Sequence, residues 1–135
     1  MFTRRLWQAT LALLLGFVAA IGIAYATKYK APPSEVVQLP KFCWAQYMQG
    51  VDGPPYEIPH SSCGVYVNHY CPALLEVIRA NKSFDNLGAR KQHLVVARRE
   101  TLYTLNGIKA FPACPIRRHV ESTLRQVETS LRDME

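Results

Sequence analysis

PIRRHVESTLRQVETSLR, residues 115–132, sets the fold class. Ile116, Val120, Leu124, Val127 and Leu131 recur at steps of 4, 4, 3 and 4, which draws one apolar face on a helix. Pro115 suits the start of such a helix, because a first turn tolerates proline. On the opposite face Arg117 stands four residues before Glu121, Glu121 before Arg125 and Glu128 before Arg132. Each such pair contributes only ~0.2–0.5 kcal/mol, so these charges serve solubility more than folding. No segment elsewhere alternates apolar and polar residues as a half-buried strand does. The expected class is all-α.

Reading back from this helix, Phe111-Pro112 is a connection and Gly107 a stop. A third helix is expected over about 87–106, with Asp85 or Asn86 as its cap and Leu87, Leu94, Val95, Leu102 and Leu105 on its buried stripe. NKSFDNLG, residues 81–88, reads as a turn. A second helix is expected from near Ser62 to Asn81, capped by Ser61 or Ser62, with Tyr70, Leu74, Val77 and Ile78 at helical spacing. Pro72 conflicts with it, so either this helix kinks there or its regular part begins around Tyr70. VDGPPYEIPH, residues 51–60, is an ordered loop, and Pro40 to Gln49 a short first helix stopped by Gly50. The architecture expected is about four helices in antiparallel hairpins over residues 40–135. TKYKAPPSEVVQL, residues 27–39, reads as a linker, since Pro32-Pro33 enforces an extended path.

Residues 1–26 stand apart. Arg4 and Arg5 precede a run without charge from Leu6 to Ala26 that ends in Ala24-Tyr25-Ala26. This matches a cleaved export signal. It matches a single transmembrane anchor equally in length, since about 20 residues span a bilayer. Both readings carry residues 27–135 across a membrane, to the periplasm or the outer face of the inner membrane of a bacterium. The formal charge of +6 comes from 16 Lys and Arg against 10 Asp and Glu, and falls to +4 beyond the apolar run. That remainder is scattered, which excludes a nucleic-acid partner as an expectation.

All four cysteines (Cys43, Cys63, Cys71 and Cys114) follow the apolar run, and an even number in a small exported domain implies two disulfides. If Cys63 and Cys71 share one helix, eight residues separate them by about 12 Å of rise. A bridge tolerates a Cα–Cα span of only ~4.4–6.8 Å. An antiparallel hairpin returns Cys114 to the start of the second helix, beside Cys63. The favoured pairs are therefore Cys43–Cys71 and Cys63–Cys114. The alternative use of these residues is a metal or redox site built from His60, Cys63, His69 and Cys71, whose thiols and imidazoles suit zinc or copper. On a helix, however, His69 and Cys71 diverge by about 200°.

Catalytic patterns are missing from the sequence. It holds no glycine-rich phosphate loop, nucleophile elbow or HExxH. Cys114 with His119 would be a nucleophilic pair without a third group, and His93 and His119 read as solvated residues on charged faces. The expectation is a protein that acts by binding, with no enzyme activity and no cofactor. Its candidate contact residues are Trp44, Tyr47 and Tyr56 among the aromatics of the first half, and Arg98 and Arg99 within the basic set Arg90, Lys91, Arg98, Arg99, Arg117 and Arg118.

Tyr70, Leu74 and Ile78 on one helix, Ala97 and Tyr103 on the next and the closing Phe111-Pro112 resemble the tetratricopeptide type of helical hairpin. FCW at 42–44 and HYC at 69–71 are similar to stretches of small exported helical proteins of the bacterial envelope. The resemblance covers about residues 66–133, roughly one and a half units where an array needs about three. It implies a binding scaffold whose partner is another protein or a membrane complex, with residues 6–26 making the membrane contact if they are retained.

Overall fold

The computed structural model describes residues 30–135. Among them the chain is all-helical, with no strand. Six α-helices are joined by three 3₁₀ turns. Three of the α-helices are single turns: α1 (Pro33–Val36), α2 (Trp44–Tyr47) and α3 (His60–Cys63). The long ones are α4 (Tyr70–Lys82), α5 (Leu87–Gly107) and α6 (Arg117–Arg132). The expected signal or anchor in residues 1–26 lies outside the described residues. No helix among the described residues is long and apolar enough to cross a membrane.

Pro72 finds its place because the expected second helix is two pieces. Gly64, at φ +73°, ends α3, and a 3₁₀ stretch over Val65–His69 leads into α4. Pro72 is thus the third residue of α4, where no intrahelical N–H bond is lost. A side chain at Gly64 would also strike the Phe111 ring, 2.5 Å from the position of its Cβ. The expected first helix is likewise short: a 3₁₀ turn over Lys41–Cys43 runs into α2. Asn86 caps α5, its Oδ1 accepting from the Ala89 N–H at 3.0 Å.

The disulfides join Cys43 to Cys71 and Cys63 to Cys114, with Cα–Cα distances of 5.6 and 4.7 Å. These are the pairs that the hairpin geometry favours. Around them lies the first core cluster, which includes Leu39, Ile58, Val67, Tyr70, Leu75, Ile108, Ile116 and Val120. A smaller one, Ala80, Leu94, Ala97 and Val127, fills the other end of the long helices. Between them the buried Tyr70 hydroxyl meets Thr123 Oγ1 at 3.0 Å, tying α4 to α6. Burial raises the Tyr70 phenol above its ordinary pKa, the Thr123 bond offsetting part of the rise.

The buried face of α5 differs from the expected stripe. Leu87 and Val95 are exposed, at 66 % and 51 %. Leu94 is buried and Leu105 packs against the first cluster as expected, and Ala97, Thr101 and Thr104 complete the inward face, followed by Ile108 just past the helix. The threonines satisfy their hydroxyls on the backbone one turn back, Thr101 on the Ala97 carbonyl at 2.7 Å and Thr104 on the Glu100 carbonyl at 3.0 Å. Small side chains let α4 and α5 approach closely. Gly107 extends this surface, since a Cβ there would run into the Tyr66 side chain.

Residues 30–39, read as linker, also fold onto the domain. Val36 and Leu39 are buried, Leu39 inside the first cluster. Glu35 receives Arg79 at 3.0 Å and Lys82 at 3.4 Å. The apolar content of the segment is low, but one helical turn and two buried residues suffice to dock it. On α6 the expected i,i+4 pairs give way to longer reaches. Arg117 donates to the carbonyls of Ile108 and Phe111, at 2.6 and 3.2 Å, and Glu128 accepts from Arg98 of α5 at 3.1 Å.

Two predictions follow from this packing. Gly107→Ala gains about 1 kcal/mol of helix propensity, yet overpacking against Tyr66 makes it net destabilising by about 1–3 kcal/mol in urea unfolding. In a Tyr66→Gly background the same change becomes neutral or stabilising. Replacing Cys63 and Cys114 together by serine lowers stability by about 2–5 kcal/mol, and intact-mass analysis of the unreduced protein finds no thiol open to alkylation.

Candidate interaction surface

α5 packs on α4, on α6 and on the 3₁₀ stretch Val65–His69, and part of its surface stays open, with Val95 and Tyr103 about half exposed. Between α5 and α6 lies a groove of about 670 Å³. Its apolar floor is Val95 and Leu102 from α5 and Leu131 from α6. Lys91, Arg98, Arg99 and Arg132 rim it, against Glu128 and Glu135. Val95 and Leu102 are two of the residues expected in the core. With Lys91 and Arg98 they step by 4, 3 and 4 along the chain, a second helical stripe beside that of Leu94, Ala97 and Thr101. This spacing is the signal that could have revealed the groove.

The five expected contact residues divide between two places. Arg98 and Arg99 stand on the groove, where Arg98 pairs with Glu128 and Arg99 with Glu100 at 2.7 Å. Trp44 and Tyr47 pack against the first cluster, and Tyr56 stands outside it on Trp44. Trp44 stacks on Tyr56 at 5.8 Å and donates its indole N–H to the Leu39 carbonyl at 3.1 Å. Together Trp44 and Tyr56 line a shallow hollow of about 250 Å³. Of the wider basic set, Arg90 is half-buried and Arg117 is turned to carbonyls, so the six residues form no single patch.

The metal site proposed from His60, Cys63, His69 and Cys71 is overturned. Both sulfurs are bonded to other cysteines, Cys63 to Cys114 and Cys71 to Cys43. His60 Nε2 donates to Asn68 Oδ1 at 2.6 Å, and His69 Nδ1 donates to Glu100 at 2.6 Å. The donors that a metal would need are committed elsewhere. Among the described residues no group of three or more His, Cys, Asp or Glu side chains is set to hold an ion. Cys114 is likewise in a disulfide, which removes it as a nucleophile beside His119. His93 is not simply solvated, since its Nδ1 donates to Glu76 at 2.7 Å.

A group that the sequence did not single out surrounds Glu100 on α5. His69 donates to one carboxylate oxygen and Arg99 to the other, and the His69 ring lies 4.3 Å from that of Tyr103. Tyr103 in turn meets Tyr66 at 5.6 Å. Burial alone would raise the Glu100 carboxyl, but the hydrogen bonds and charges of His69 and Arg99 outweigh it and hold it below its ordinary value of 4.5. The group fastens the 3₁₀ stretch to α5 and contains no nucleophile.

Comparison with known proteins leaves the geometry to speak for itself: no family model, no curated protein and no solved structure matches the chain.

Because the folded carboxyl of Glu100 titrates below the unfolded one, its stabilisation is fully present above the unfolded value. It is lost as pH falls through the lower folded value. Glu100→Gln should therefore be less stable than the wild type near neutrality and should lose less on acidification below about pH 5. Urea midpoints measured from pH 6 to pH 3 check both directions.

Proposed function

We propose that the chain is an exported helical binding protein, held at or near the outer face of a bacterial inner membrane. In this reading its α5–α6 groove receives an acidic, amphipathic helix of a partner protein. The observation that carries the proposal is the groove itself, with an apolar floor of Val95, Leu102 and Leu131 and four cations on its rim against two carboxylates. A helix laid there would bury its apolar stripe on that floor and set its acidic flanks against Lys91 and Arg132, as in other helix-in-groove complexes.

The compartment is supported from two sides. Two disulfides belong to an oxidising environment, and the uncharged run from Leu6 to Ala26 is an export or anchoring segment by composition. The resemblance to helical-hairpin scaffolds points the same way, toward binding without chemistry of its own.

A photoreactive residue placed at Val95 in the full chain, in cells, tests this reading. It should crosslink to an acidic amphipathic segment of one partner, while the same residue at the exposed Val65 does not. Lys91→Glu with Arg132→Glu should cut the yield at least tenfold. A crosslinked segment without acidic character, or a yield indifferent to the charge reversal, overturns the proposal.

A further inference from the structure

The turn between α4 and α5 presents apolar side chains to the outside. Phe84 is 72 % exposed, the highest value for a large apolar side chain among the described residues, and Leu87 follows three residues later at 66 %. Neither contributes to a core cluster. A turn that only had to reverse the chain would need neither residue.

What lies beside this turn gives it an occupant. Glu35 is paired with Arg79 and Lys82, in the last turn of α4, so the incoming chain, after Ala31 packs against the first cluster, passes beside the end of α4 that leads into this turn. Ahead of Lys30 the sequence holds the 21 uncharged residues Leu6 to Ala26. The four residues from Ala26 to Lys30 span at most about 14 Å. If the apolar run stays in a bilayer, this end of the domain is kept near the lipid surface.

We propose that the α4–α5 turn seats Phe84 and Leu87 in the interfacial layer of that lipid bilayer, as a second point of membrane contact. The proposal rests on the reading of residues 6–26 as retained. Exposed charge at the turn carries no cationic excess, Lys82 (already paired with Glu35) and Lys91 standing against Asp85, Asp133 and Glu135, so attachment draws on apolar burial and not on headgroup charge. It orients the domain with the turn toward the lipid and with Cys63 and Cys114, at the far end of the long helices, away from it.

Spin-label accessibility of the full chain in vesicles of zwitterionic phospholipid tests the proposal. A nitroxide at Asp85→Cys keeps Phe84 and Leu87 in place, and one at Ser61→Cys marks the far end. The label at 85 should be reached readily by oxygen and be shielded several-fold from a water-soluble nickel chelate, with the reverse at 61. Phe84→Asp with Leu87→Asp should abolish the shielding, and anionic lipid should not strengthen it. Equal nickel access at 85 and 61 overturns the proposal. So does shielding from both reagents, which indicates a protein contact. Carbonate extraction reads residues 6–26 separately. A chain that extracts yet rebinds vesicles with label 85 shielded retains the turn as a contact and loses the anchor. A chain that resists extraction with label 85 open keeps the anchor and overturns the turn.

Discussion

The structure depends on two interleaved disulfides. Cys43–Cys71 closes a separation of 28 residues and Cys63–Cys114 one of 51, and each loop contains one cysteine of the other bridge. Between Lys30 and His69 the helical pieces are three to five residues long, far below the ~12–15 at which an isolated helix is even marginal in water. These pieces do not persist by their own propensity. The bridges hold them where Leu39, Ile58 and Val67 can be buried against α4 and the start of α6. In a chain-entropy account each closure is worth roughly 3.5–4 kcal/mol, although interleaving makes the two non-additive.

The second constraint is the distance between α4 and α5. Ala73 and Ala80 on one helix, and Ala97, Thr101 and Thr104 on the other, are buried side chains of small volume. Close approach strengthens dispersion between the helices but leaves little apolar area to bury. The polar cross-links make up part of the difference. His93 reaches Glu76, and His69 reaches Glu100, each carboxylate also receiving an arginine. A histidine is thus placed toward each end of the α4–α5 contact, where it ties the two sides together.

This explains what the sequence revealed and what it concealed. α6 was readable because its core contacts are branched aliphatics at helical spacing, and four of its five expected positions face inward or into the groove as that pattern requires. The disulfide pairing was readable because hairpin geometry left few ways to bring four sulfurs together. α5 misled for a physical reason. Its expected stripe of Leu87, Leu94, Val95, Leu102 and Leu105 holds at Leu94 and Leu105, but the rest of the buried face is Ala97, Thr101 and Thr104, which hydropathy scores weakly. The metal reading fails because residues close in sequence are not brought together in space, and the two thiols in question bond to partners 28 and 51 residues away. Glu100 carried no local signal at all, because its partner His69 lies 31 residues earlier.

The misreading of α5 also bears on function. Where a helix packs through small residues, its large apolar residues are not needed for the monomer's own core, and burying them elsewhere would strengthen the fold at little cost. Here they remain at the surface in two separate places, Val95 and Leu102 along the α5–α6 groove and Leu87 with Phe84 at the turn. A solvated surface gains nothing from residues of this kind, and exposed apolar patches invite association. In the two readings proposed above, these four side chains are contact residues and not misplaced core. Their separation along α5 makes the two proposed contacts compatible, since a helix lying along the groove leaves the tip of the turn free to meet a bilayer.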